Sequence, residues 1–193
     1  MLFDIISDVK MELGFLLDVN SNNFRPGQFD NVLNSVKSIY APFTIGEDKT
    51  RIGVVTYSER PRTAISLDQY ASRQSLDTAV DQTLMSPLSS PSLLGQGLAA
   101  VKQLFYGKPR PKTPKILVVI TGGKSRDDVI KPSAALKALN MTVFCIGVGQ
   151  NIDRNELETV ASTPASDHVI MAAISHRETA GENLASRIKK GEA

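Results

Sequence analysis

The sequence has little that would cross-link the chain, anchor it in a membrane or give it a strong charge of one sign. Cys145 is the only cysteine among 193 residues, so no internal disulfide can form. No apolar run reaches the roughly 18 residues of a membrane span, and we therefore expect none. The 22 basic and 20 acidic residues leave a net charge of +2, which does not indicate a nucleic acid as partner.

The N-terminus also lacks the features of a secretory signal. Residues 1–17, MLFDIISDVKMELGFLL, have no basic start, no long apolar core and no small-residue cleavage site. If the natural protein is secreted, we therefore expect this chain to be an excerpt without a signal peptide.

Catalytic motifs are equally scarce. The two histidines, His168 and His176, belong to no motif, and no nucleophile elbow of the G-x-S-x-G type occurs. GGKS at 122–125 resembles the end of a phosphate-binding loop, but that motif needs glycine where Val118 stands. GVGQNI at 147–152 lacks the last glycine of a dinucleotide fingerprint. An intracellular α/β enzyme or nucleotide binder is therefore disfavoured.

What the sequence does contain is an alternation of two hydrophobic patterns. Short apolar, β-branched runs predict strands, and apolar residues at helical spacing predict helices between them. The alternation predicts a doubly wound α/β fold, with a mostly parallel sheet, helices on both faces and an antiparallel hairpin at 50–67. The expected strands cover 11–19, 50–58, 62–67, 115–121, 141–149 and 168–173. The expected helices cover 26–43, 68–84 (one helix or two), 94–105, 126–140, 153–162 and 176–191.

Two loops at one edge of this sheet are where a ligand is expected. Open sheets of this class bind ligands beyond the carboxyl ends of strands, at the point where the strand order reverses. The strands at 11–19 and 115–121 are natural neighbours across that point. The informative residues should therefore lie at 18–22 and 122–125.

Several segments, spread over most of the chain, carry a family resemblance. They read GFLLDVNSNNF, RIGVVTYS, ILVVITGGKSRDDV and MTVFCIGVGQNIDRNELETVAS. Over about 13–188, their order and spacing resemble the von Willebrand factor A (VWA) domain, especially extracellular-matrix members such as those of collagen VI and the matrilins. The resemblance implies a six-stranded sheet in the order 3-2-1-4-5-6 with strand 3 antiparallel. It also implies one domain over 1–193, with 1–10 as an N-terminal extension.

Many VWA domains carry a metal-ion-dependent adhesion site (MIDAS), whose pattern this chain follows only in part. The pattern is D-x-S-x-S after the first strand, a threonine in a middle loop and an aspartate after the fourth strand. These are oxygen ligands of the kind that Mg²⁺ prefers. By this resemblance Asp18 takes the first position, and Asn20 and Asn22 stand where the serines belong.

The middle and last ligand positions depart further. The middle loop offers Ser90 and Ser92 but no threonine, and Gly122 replaces the aspartate. One of two carboxylates is thus missing, which removes a full unit of charge that would compensate the cation. We therefore expect no required cofactor or metal. The alternative is a weak Mg²⁺, Mn²⁺ or Ca²⁺ site formed by Asp18, Asn20, Asn22 and the hydroxyl of Ser90 or Ser92.

The most specific expectations for this site concern the role of Asp18 and the effect of replacing Gly122. Without a cation, the Asp18 carboxylate is expected to be structural and bonded to loop amides. Gly122→Asp, alone or with Asn20→Ser and Asn22→Ser, is expected to create or strengthen divalent-ion binding, because it restores the missing charge.

The resemblance implies a non-enzymatic protein-binding module of a secreted extracellular-matrix or cell-surface protein. The expected partner is a matrix protein, either a collagen or another VWA domain. Binding without a required metal is favoured, and a metal-dependent adhesion domain with an Asp/Asn/Ser ligand set is the alternative. The loops expected to contact the partner contribute Asn20, Ser21, Asn22, Ser92, Gly122 and Lys124.

Several further features have expected roles outside that site. Asn140 begins an N-glycosylation sequon at a helix-to-strand turn. The basic stretch 108–115 is expected to be a solvated loop, with a patch for a sulfated glycan or acidic partner as the alternative. Asp127 and Asp128 are expected to favour the N-terminus of the helix at 126–140, with approach of either one to a cation as the alternative. Cys145, inside a strand, is expected to be buried as a small apolar residue.

Overall fold

The computed structural model describes residues 8–24, 26–83, 91–106, 110–172 and 177–189. Its strands are β1 (Glu12–Asp18), β2 (Arg51–Tyr57), β3 (Arg62–Ile65), β4 (Lys115–Gly123), β5 (Met141–Asn151) and β6 (Val169–Ala172). Its helices are α1 (Pro26–Tyr40), α2 (Arg73–Asp81), α3 (Leu94–Tyr106), α4 (Ile130–Lys137), α5 (Arg154–Val160), α6 (Ala165–His168) and α7 (Arg177–Lys189).

The strands form one sheet in the order β3-β2-β1-β4-β5-β6, which confirms the predicted fold. Every neighbouring pair is parallel except β2 and β3, which form the expected antiparallel hairpin. Because β1 and β4 pair in parallel, their carboxyl ends meet at one edge of the sheet. That edge holds both loops that the sequence singles out.

The central strands are apolar along most of their length because helices cover the sheet on both faces. Phe15 and Leu17 of β1 belong to a core cluster shared with α1 and α7. Leu16, between them, packs on the other face with α3. Every residue of β1 is buried, including the charged residues at its two ends, Glu12 and Asp18.

Arg110 binds the start of β1, at the amino-terminal end of this sheet. Its guanidinium Nε lies 2.6 Å from Glu12 Oε1, and both side chains are buried. The expectation of a solvated loop over 108–115 is therefore wrong at Arg110, although Lys112 in the same stretch is exposed. None of the described helices combines the length and the apolar character needed to cross a membrane.

Three helical segments differ from the prediction. The segment predicted at 68–84 is the single helix α2, which begins at Arg73 rather than at 68. Helix α4 begins at Ile130 rather than at 126, so Asp127 and Asp128 precede it and its first turn holds no acidic residue. Helix α6 was not expected, and His168 ends it instead of beginning a strand. A ring nitrogen of His168 lies 2.9 Å from the Pro164 carbonyl oxygen, and its ring packs on Phe144. His168 is thus a core residue, which local periodicity does not reveal.

Candidate functional site

The top loops, defined as residues 19–24, 91–93 and 122–125, meet above the carboxyl ends of β1 and β4. Asp18 ends β1, while Thr121 and Gly122 lie near the end of the adjacent β4. Ser92 lies two residues before the start of α3 and reaches the same point. The structure therefore brings together Asp18, Asn20, Ser92 and Gly122 from the predicted set. Ser90 lies outside the described residues.

The Asp18 carboxylate is enclosed by donors from the protein itself. Its Oδ1 accepts a 3.0 Å hydrogen bond from the Asn20 backbone N–H. Its Oδ2 accepts from Asn23 Nδ2 at 2.7 Å and from the Gly122 backbone N–H at 3.3 Å. The hydroxyls of Thr121 and Ser92 lie 3.3 Å from Oδ2 and Oδ1, respectively. Asp18 thus has the surroundings expected of a structural carboxylate bonded to loop amides.

Burial and hydrogen bonding act in opposite directions on the pKa of Asp18. Burial disfavours the charged form and raises this pKa above its ordinary value. Hydrogen bonds from Asn20, Asn23, Gly122 and Thr121 to the ionised form lower it and offset part of that effect. The carboxylate therefore depends on these donors to remain buried and charged.

The three asparagines of the first top loop have different roles. Asn20 is buried, donates from Nδ2 to Ser92 Oγ at 3.2 Å, and accepts from the Asn22 backbone N–H at 3.0 Å. Asn22, a predicted ligand, has an exposed side chain, as does Ser21. Asn23, which the MIDAS pattern does not include, contacts both Asp18 and Ser92. The Asn23 backbone N–H donates to the Asn20 carbonyl and closes a turn. This turn places the Asn23 side chain over the carboxyl end of β1.

Gly122 has no room for the side chain that the MIDAS pattern requires. A Cβ atom there would lie 2.7 Å from Asn23 Cβ and 2.8 Å from Phe24 Cζ, and Phe24 is itself buried. The expectation that Gly122→Asp alone adds a metal ligand is therefore not supported by the geometry. An aspartate at this position requires Asn23 and Phe24 to move first.

These residues do not fit a tightly held divalent cation. The described top loops contribute no carboxylate of their own, and Asp18 beneath them already accepts from several donors. Asn23 directs its amide nitrogen, which cannot ligate a cation, toward Asp18 and Ser92. Within the described residues, no group of three or more Asp, Glu, His or Cys side chains is placed to hold a metal.

A second network fixes the loop after β4 against two helices. Asp127 accepts from the backbone N–H groups of Gly95 and Gln96, both at 2.8 Å. Asp127 therefore stabilises the N-terminus of α3 rather than that of α4, where it was predicted to act. Asp128 does act at α4, since its Oδ1 accepts from the Ile130 backbone N–H at 2.9 Å. A Cβ on Gly95 would lie 2.1 Å from the Asp128 carbonyl oxygen, so this close approach needs glycine.

Lys124 is an exposed cation at this edge. Its Nζ lies 2.8 Å from Asp153 Oδ2, with 66% of the lysine side chain exposed. This contact lowers the pKa of Asp153 and raises that of Lys124. The Ser125 backbone N–H donates to Glu156, whose pKa burial raises. The Lys124 side chain is thus exposed to a partner, which would compete with Asp153 for its ammonium group, while Glu156 holds the following backbone N–H.

Two predicted residues lie away from the top loops. Asn140 is exposed at the turn between α4 and β5, with a positive φ of 55°. Cys145 is fully buried in β5, and burial raises the pKa of its thiol, as expected of an unreactive core cysteine.

Comparison with known sequences shows similarity to matrix proteins. The family model of the von Willebrand factor type A domain matches residues 12–179. Collagen alpha-1(XXI) of Homo sapiens is 34% identical over 158 residues, which is 82% of this chain and 16% of that protein. Collagen alpha-5(VI) of Mus musculus is 31% identical over 156 residues, which is 80% of this chain and 6% of that protein. The chain thus spans a small part of these relatives.

Solved structures show the same fold. Proximal thread matrix protein 1 from the mussel byssus aligns with a TM-score of 0.85 and 24% identity, covering 92% of this chain and 48% of that chain. A second structure of that mussel protein has a zinc-occupied MIDAS motif. It aligns with a TM-score of 0.85 and 22% identity over 95% of this chain and 47% of that chain.

Proposed function

Because the chain belongs to the von Willebrand factor type A domain family, we propose that it is a non-enzymatic adhesion module that binds an extracellular-matrix protein without requiring a metal ion. The proposed partner is a collagen or another VWA domain, and the proposed parent is a secreted protein. Similarity to VWA-containing collagens over about four-fifths of the chain supports this assignment.

The observation that carries the proposal is the state of the top loops. The carboxylate beneath them, Asp18, is buried and engaged by protein donors, so it is closed to a substrate. Ser21, Asn22 and Lys124 are exposed around it and offer a polar surface of one hydroxyl, one amide and one cation. Such a polar surface, with its carboxylate buried, suits recognition of a protein surface better than catalysis.

The alternative is a metal-dependent adhesion domain with an unusual ligand set. The convergence of Asp18, Asn20 and Ser92 favours it, as does the zinc-occupied MIDAS motif of the mussel protein. The hydrogen bonds of Asn23 argue against it, because the amide would have to leave before a cation could reach Asp18.

Surface plasmon resonance on immobilised collagens and VWA domains, with EDTA or with Mg²⁺ in the buffer, tests the proposal. We expect saturable binding to at least one collagen, with the same affinity in both buffers. Lys124→Glu should weaken it about tenfold, as expected for one disrupted interfacial charge. Lys112→Glu, exposed near the opposite end of the sheet, should leave the affinity unchanged.

The outcomes separate the two functions. Binding that disappears in EDTA would support the metal-dependent alternative. Failure to bind any collagen or VWA domain, or an equal loss with Lys112→Glu, would contradict adhesion through the top loops.

We also propose that Asn140 carries an N-linked glycan in the natural protein. The exposed turn places the sequon where a transferase can reach it. Expression through a secretory pathway should give a chain whose intact mass falls on treatment with an N-glycosidase. Thr142→Val removes the sequon while retaining a β-branched residue in β5, and it should abolish the mass change. An unmodified wild-type chain would contradict the proposal.

A further inference from the structure

The carboxamide of Asn23 lies among the positions that a MIDAS uses to hold its cation. Its Nδ2 is 2.7 Å from Asp18 Oδ2 and 3.0 Å from Ser92 Oγ. Its side chain also fills the space beside Gly122 and Gly123, where added Cβ atoms would lie 2.7 Å from Asn23 Cβ and 2.6 Å from Asn23 Oδ1. One side chain thus contacts the residues at the first, middle and last ligand positions.

The hydrogen-bond roles at this point are mutually consistent. An amide nitrogen has two N–H donors, and the two acceptors here are a carboxylate oxygen and a hydroxyl oxygen. The Ser92 hydroxyl accepts from Asn23 and from Asn20 Nδ2, and it lies close enough to Asp18 to donate its own proton there. The partial positive charge of the amide hydrogens faces Asp18, as a cation would.

We infer that Asn23 is a built-in substitute for the MIDAS cation, holding the top loops in their binding conformation by hydrogen bonds alone. The inference deepens the proposed function, since it supplies the reason why partner binding needs no metal. The missing aspartate at Gly122 follows from the same geometry, because Asn23 and Phe24 fill the space that its side chain would need.

Exchanging Asn23 for aspartate should convert the site into one that needs a cation. Asn23→Asp keeps the shape but places a second carboxylate against Asp18, where two like charges repel without a cation. In EDTA we expect this variant to melt at a lower temperature than wild type. Saturating Mn²⁺ should raise its melting temperature by ~5–10 °C above the value in EDTA. Wild-type protein should melt at the same temperature in both buffers.

Asn22→Asp is the matched control, because it adds the same charge at the neighbouring, exposed position. It should show no Mn²⁺ response. An equal response in Asn22→Asp or in wild type, or none in Asn23→Asp, would overturn the inference. If Asn23→Asp does not fold in either buffer, Asn23→Ala tests the inference instead. It opens the same space, so Mn²⁺ should raise its melting temperature, by less than is expected for Asn23→Asp. The absence of that rise would overturn the inference.

These measurements contain no partner, so they stand apart from the collagen experiment. If the wild-type domain binds no collagen but the melting temperatures respond to Mn²⁺ as predicted, the proposed function is rejected and the role of Asn23 stands. Collagen binding that depends on Mn²⁺ in wild type would reject the role of Asn23 and leave adhesion intact.

Discussion

Replacement of Arg110 by alanine is expected to lower the free energy of unfolding by about 3–5 kcal/mol, the range for breaking a buried ion pair. Its Nε pairs with Glu12 Oε1 at 2.6 Å, and its Nη2 donates to the Met11 carbonyl at 2.7 Å. Its Nη1 donates to the carbonyls of Glu47 and Lys49 at 2.9 and 2.8 Å. Alanine would leave the Glu12 charge, which is 1% exposed, without its partner.

Urea unfolding measures this loss, with Arg126→Ala as the control. Arg126 is exposed, and its truncation should change stability by no more than about 0.5 kcal/mol. The double variant Glu12→Met/Arg110→Met should be more stable than Arg110→Ala, because it removes both buried charges together. A loss in Arg110→Ala as small as in Arg126→Ala would show that the buried pair does not form.

Asp18→Ala is expected to destabilise the domain by roughly 3 kcal/mol, because it leaves several buried donors without an acceptor. The backbone N–H groups of Asn20 and Gly122 lose their bonds to the carboxylate, and Asn23 loses its shortest one. Since these bonds involve no cation, the loss should be the same in EDTA and in Mg²⁺.

Asp30→Ala serves as the control, since Asp30 is exposed on α1 and its truncation should be nearly neutral. Unfolding in urea, in each buffer, gives the comparison. A loss for Asp18→Ala that appears only with Mg²⁺ present would mean that the carboxylate acts by holding a cation, contrary to our interpretation.

The order of helices and strands could be predicted because the pattern that encodes it is local. A strand covered on both faces is apolar at nearly every position, as β1 and β4 are. The sheet order and the antiparallel β3 were implied by family resemblance and are confirmed. The same resemblance identified Asp18 and Ser92 as neighbours, although they lie 74 positions apart.

The parts that could not be predicted depend on contacts between distant segments or on the direction of a side chain in a turn. Arg110 is buried because of Glu12, 98 positions away, and its sequence neighbours are basic or proline. Asp127 serves the N-terminus of α3 rather than that of the following helix. Asn22 and Asn23 are adjacent residues of the same type, so the sequence does not show which of them faces Asp18. The turn that begins at Asn20 determines that it is Asn23.

A crystal structure of the wild-type chain grown in millimolar Mn²⁺, with anomalous diffraction data, tests the central claim most directly. We predict that the Asn23 amide remains hydrogen-bonded between Asp18 and Ser92, with no manganese peak beside them. A manganese peak ligated by Asp18 and Ser92, with Asn23 turned away, would contradict the account.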